Sequence, residues 1–150
     1  MKFKNTYPCR FRKGDDGRYL VIFRDFPEAL TDGADLSEAY AESRDCLEEA
    51  IAGRINRGED IPEASNPRRG DTPVPLTPEF VLKVALYKTW KKAGLNKSEF
   101  ARVIGVDEKE VRRLLDPHYC SKLPNMSDAF AALGKRVVVD IEDIPKETRT

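Results

Sequence analysis

The chain has 150 residues, 40% apolar and 35% charged, with 26 basic side chains balanced by 26 acidic ones. That supports one ordinary domain or two small ones and excludes wholesale disorder. No apolar run approaches the roughly 18 residues that cross a membrane, and the N-terminus has no apolar signal segment, so a cytoplasmic protein is expected.

In "KFKNTYPCRFRK", Phe3, Tyr7, Cys9 and Phe11 alternate onto one face, as a half-buried strand requires. "GDDG" at 14–17 makes a turn, and "RYLVIF" follows as a second strand, so residues 2–24 are read as a hairpin. "DFPEALTDG" predicts a turn and a short third strand. "DLSE" has the pattern of a capping box built on Asp35 and Glu38. Leu36, Ala39, Tyr40, Ser43, Leu47, Ala50, Ile51 and Ile55 then recur every three or four residues, predicting one apolar stripe on a helix that ends at Gly58. Val74 and Leu76 predict a fourth strand, confined to an edge by the prolines around it.

Five of the ten prolines fall within residues 62–78, a stretch that cannot be helical. The boundary is placed at its end, giving a first domain at 1–76 and a second at 77–150. The second opens with Thr77 as a cap, Pro78 at the first helical position and a helix that stops at Gly94. "NKSE" at 96–99 predicts a second capping box, with Asn96 as the cap, and Asp107 with Glu110 a third. A further helix is predicted over 127–133. "RVVVDIE" reads as a strand with Val137, Val139 and Ile141 on one face. A lone strand leaves its ladder unpaired, so pairing with a second copy, giving a homodimer or higher assembly, is expected.

"SEFARVIGVDEKEVRRLL" predicts a helix-turn-helix. Ala101 is small where the helices touch, Gly105 makes the turn, and Phe100, Ile104, Val106, Val111 and Leu114 point inward. If the second helix enters a major groove, Lys109, Arg112 and Arg113 reach base edges, while Lys97 and Ser98 hold phosphate. Residues 80–115 carry nine bases and four acids, so the field suits operator DNA. Glu108 is awkward there. It accepts from cytosine N4, or it lowers non-specific affinity. Asp107 serves the helix end rather than a ligand.

Charge is uneven along the chain. Residues 24–63 hold 4 bases against 12 acids, which suits a basic partner. Cys9, Cys46 and Cys120 are odd in number and far apart, which argues against a disulfide framework. His118 beside Cys120 is too small a set for zinc, so no metal or cofactor is expected. The carboxylates read as turn and cap residues, and His118 has no adjacent nucleophile. An enzyme is therefore not expected.

"YPCRFRKGDDGRYLVIFRDFPEALTDGADLSEAYAESRDCLEEAI" resembles the N-terminal domain of HicB antitoxins, and "LNKSEFARVIGVDEKEVRRLLDPHYCSKL" with "ALGKRVVVDIE" resembles the helix-turn-helix of one HicB branch. The resemblance covers residues 5–142. It implies an α+β protein: a reduced ribonuclease-H-like sheet-plus-helix domain without catalytic acids, then an all-α helix-turn-helix domain with a terminal β-strand. It also implies two functions, masking a small basic HicA-type ribonuclease toxin and repressing its own operon. Asp25, Phe26 and Pro27, on the family-like turn, are the expected toxin contacts, with Phe26 readable equally as a core residue. The alternative is a stand-alone helix-turn-helix regulator whose first domain senses a small ligand.

Overall fold

A computed structural model of the chain describes residues 3–146. Four strands, β1 (Thr6–Lys13), β2 (Tyr19–Ile22), β3 (Leu30–Gly33) and β4 (Thr72–Pro75), form one sheet in the order β3-β2-β1-β4, with every ladder antiparallel. The hairpin, the short third strand and the proline-bearing edge strand all stand where the sequence put them. Pro73 and Pro75 sit in β4, whose outer side has no ladder to supply.

The helix α1 (Leu36–Asn56) lies across one face of the sheet. Asp35 caps it by accepting from the Glu38 amide at 2.8 Å. The Glu38 side chain faces Arg18, 3.9 Å away. Gly33 makes the close approach possible: a Cβ there would lie 2.3 Å from the Ala39 nitrogen. Ala39, Ser43, Leu47, Ile51, Ala52 and Ile55 bury against Tyr7, Cys9, Val21 and Val74. Leu36 and Tyr40, predicted in the stripe, are 50% and 36% exposed. They stand in the first turns, beyond the sheet's cover. Phe3 also departs from expectation, packing on the second core rather than the first.

The helix α2 (Pro78–Ala93) serves both cores. Phe80, Val84 and Tyr87 join the sheet cluster, and Ala85 and Leu86 join a second cluster. That second cluster unites α3 (Lys97–Ile104), α4 (Glu108–Leu115) and α5 (Leu123–Ala132) around Phe100, Val111, Leu114, Met126 and Phe130. Thr77 does not cap α2 with its side chain. Its amide and hydroxyl donate to Glu48 Oε2 at 2.8 and 3.0 Å, which places a carboxylate from α1 at the positive end of α2. The last helix begins four residues earlier than predicted, since Pro124 fits a first turn and extends it.

Residues 135–145 form no helix or strand. The predicted terminal strand is therefore absent from the single chain. Val138, Val139 and Ile141 are 73–87% exposed, while Val137 packs against the second core. The reason is that a ladder needs a second strand, and the elements around this segment are helices. The α+β class stands. No helix among the described residues is long and apolar enough to cross a membrane.

Candidate functional site

Two surfaces carry the residues singled out from the sequence. The first is the turn after β2. Phe26 accepts nothing from solvent: it is 0% exposed, packed edge-on to Tyr7 with ring centroids 5.1 Å apart and with the Arg54 guanidinium 4.6 Å above it. Phe26 is thus packed in the core, the second of the two roles its sequence position allowed. The alternation that marked β2 stops at Phe23, and the turn folds the next aromatic inward through bonds from the Phe26 amide to Phe23 and from the Ala29 amide to Phe26. Asp25 faces inward too, accepting from the Ser65 amide and hydroxyl at 3.1 and 3.0 Å. Only Pro27 of the three is exposed.

Beside this turn, Asp71 is the anchor of the proline-rich segment. Its side chain is 2% exposed and receives Arg24 at 2.7 Å, Arg10 at 3.0 Å and the Arg68 amide. The Arg24 guanidinium, then the Arg68 amide and Arg10, hold its carboxyl well below the usual carboxylate range. Arg24 also donates to Ser65 and Asn66, so residues 65–71 are tied to the end of β2. The Tyr7 hydroxyl donates to Pro62 at 2.7 Å, and burial pushes its pKa up to about 12.

What the turn leaves exposed is acidic. Glu38, Glu42, Asp45 and Glu49 are all exposed on α1, at spacings of four, three and four, so they form one stripe opposite the buried face. The sequence pattern held this signal in the same three-to-four spacing that marked the apolar stripe.

The second surface is built by α3 and α4. Asn96 and Glu99 make a complete capping box, and Asp107 caps α4 by accepting from the Glu110 amide at 2.8 Å. Gly105 turns the chain with φ of 85°, a conformation that other residues rarely adopt. Phe100, Ala101, Val111 and Leu114 are buried as predicted, but Val106 is 36% exposed, because it lies past the turn and before the next helix. Lys97, Ser98, Lys109 and Arg112 are exposed together on these two helices. Arg113 is half-buried, 3.7 Å from Glu110 and with its guanidinium 5.6 Å from the Tyr119 ring centre. Glu108 lies between the helices, accepting from the Ser98 hydroxyl and standing 3.7 Å from Arg112. It therefore engages two of the groups expected to hold DNA.

The two surfaces meet a known pattern of proteins. Residues 6–85 match the family model of HicB-like antitoxins of bacterial toxin-antitoxin systems, more than half of the chain. The chain belongs to the HicB-like antitoxin family. Antitoxin HicB of Escherichia coli K12 is 31% identical over 131 residues, covering 87% of this chain and 95% of that protein. Antitoxin HicB 2 of Photorhabdus laumondii is 30% identical over 137 residues, covering 91% and 96%. Antitoxin HicB of Pseudomonas fluorescens is 30% identical over 129 residues, covering 85% and 88%. The family model ends within α2, whereas each of these relatives matches more of this HicB-like chain than the model does.

Proposed function

We propose that this HicB-like antitoxin neutralises a small basic HicA-type ribonuclease through residues 1–76 and represses its own operon by binding operator DNA through an α3–α4 helix-turn-helix. The observation that carries the reading is similarity to antitoxins over 85% or more of the chain, spanning both cores. The acidic stripe on α1 is the surface that suits a cationic partner, whose association it would speed, and Pro27 is the exposed residue of the turn. On the other side, Lys109 and Arg112 face outward for base edges, and Lys97 and Ser98 stand at the N-terminus of α3, where phosphate is favoured. Asp25 contributes by holding Ser65, and Phe26 by supporting the turn from below.

The test is co-expression with the adjacent gene. A basic protein of well under 100 residues should co-purify, and growth arrest by that protein alone should be relieved by this chain. The promoter duplex should be retarded in a gel in a salt-dependent way. Absence of both a bound basic partner and promoter binding overturns the reading.

Two half-sites need two copies. The exposed Val139 and Ile141 fit a strand that finds its ladder in a second chain, so the assembly is a homodimer or higher through this segment. Deleting residues 138–150, which keeps Val137 on its core, should convert dimers to monomers in light scattering. An unchanged mass would move the seam elsewhere.

A further inference from the structure

Lys83 points from α2 into the second core and is 5% exposed. Its ammonium donates to the carbonyls of Arg113 and Leu114 at 2.9 and 3.1 Å and to the Ser121 hydroxyl at 2.8 Å. All three N–H groups are used, which is what a buried lysine requires. The two carbonyls belong to the last turn of α4, where backbone acceptors lack helical partners and the dipole is negative. The helices α2 and α3 end in a left-handed glycine, but α4 does not: Asp116 closes it with extended backbone. The Asp116 amide reaches only the Arg113 carbonyl, at 3.3 Å, and Lys83 adds from another element a charged donor to that carbonyl and to Leu114.

We propose that Lys83 is the positioning residue of the DNA-facing helix: by capping α4 from α2 it fixes the angle at which Lys109 and Arg112 are presented, and operator affinity depends on its proton. The proposal rests on the reading of α4 as the helix that meets DNA. Because α2 is shared between the two cores, the same contact also sets how the helical unit sits on the sheet unit.

Burial lowers the Lys83 pKa to about 8, against the pull of Asp116, Cys120 and Glu110. The other groups around it are the Tyr119 ring, 5.8 Å from Nζ, and the Arg113 guanidinium, which lies over the same ring. The signs of two readouts then differ. The ammonium is present below pH 8 and lost above it, so the cap and operator affinity weaken as pH rises from 7 to 9. Global stability moves the other way. A lysine whose folded pKa lies below its unfolded value of about 10.5 opposes folding while charged, so stability rises with pH between those values. A lysine that merely filled space would give the stability slope from its burial but not the affinity slope.

The experiment uses the full chain carrying Cys120→Ser, which removes the exposed thiol next to Ser121. That parent, Lys83→Met and Lys83→Arg are compared at pH 7 and 9 for promoter affinity and for amide-exchange protection along α4, corrected for intrinsic exchange. The parent should lose about fivefold in affinity, the difference between a charged and a neutral donor. Lys83→Met should be weak at both pH values, and Lys83→Arg should be flat and strong. Equal affinity and slope in parent and Lys83→Met overturns the proposal. If Lys83→Met fails to fold, retention of the parent's slope in Lys83→Arg overturns it. If no variant binds any duplex while α4 protection follows pH in the parent alone, the cap stands and the DNA reading is what fails.

Discussion

The two units of this chain use carboxylates over different distances in sequence. In the sheet unit they reach far: Asp71 holds Arg10 and Arg24, Asp25 holds Ser65, and Glu48 holds Thr77. In the helical unit they stay close: Asp107 caps onto Glu110, Glu108 pairs with Arg112, and Glu110 pairs with Arg113. A proline-rich crossover with one short edge strand must be fastened to the sheet by side chains, and its main anchor, Asp71, is buried and shared. Short helices need only their ends satisfied, so their acids sit in first turns. Caps thus occur in both halves, Asp35 included, while the carboxylates that clamp distant chain belong to the sheet half, and the halves should respond differently to mutation.

The largest effect is expected at Phe26. Phe26→Ala empties a closed position under Tyr7 and Arg54 and should destabilise the sheet unit by about 3–5 kcal/mol, measured by denaturant unfolding. Loss of toxin binding with an unchanged unfolding midpoint would instead make Phe26 a contact. Next in size is Arg112→Ala combined with Arg113→Ala. Two lost contacts at roughly 1–3 kcal/mol each predict a fall of at least about thirtyfold in promoter affinity, with neutralisation intact. Loss of neutralisation would break the division of labour between the halves.

Asp71→Asn should lower the melting temperature on the order of 5 °C, because Arg10 and Arg24 lose their shared acceptor. Its pH dependence is signed. A carboxyl held below its unfolded value of about 4 stabilises the fold above that pH and ceases to do so as pH falls through the folded value. The variant's deficit should therefore shrink as the pH is taken below about 4. A deficit independent of pH would mean that shape, not charge, anchors the loop.

That contrast also sets what was legible in the sequence. The caps at Asp35, Asn96 and Asp107 lie within four residues of what they bond, so residue order reveals them. The hairpin and the α1 stripe are likewise periodic signals. Asp25 and Phe26 were legible as a turn, but not as groups facing inward, because Ser65 and Arg54 come from distant chain. The terminal segment has the alternation of a strand, yet alternation cannot supply a partner. Lys83 gave no signal at all: within α2 it reads as one more cation, and only the meeting of α2 with the end of α4 makes it a cap.

The smallest predicted effect sharpens the comparison most. Among the described residues, Glu108 is the one acid of the helical unit with side-chain hydrogen bonds or ion pairs to both helices, through Ser98 and Arg112. On the proposed DNA-binding role, a phosphate approaching Ser98 has to displace that carboxylate whatever the base sequence, so Glu108 is expected to oppose every duplex alike. Operator DNA can recover the loss if Glu108 finds a donor in the groove, such as cytosine N4. Glu108→Gln should then raise affinity for non-specific duplex by roughly threefold to tenfold, and steepen its salt dependence by about one unit of slope for the removed negative charge. Promoter affinity should change less, so discrimination falls. Equal gains on both duplexes would reduce Glu108 to a repelling charge, and the acid would then belong with the caps beside it.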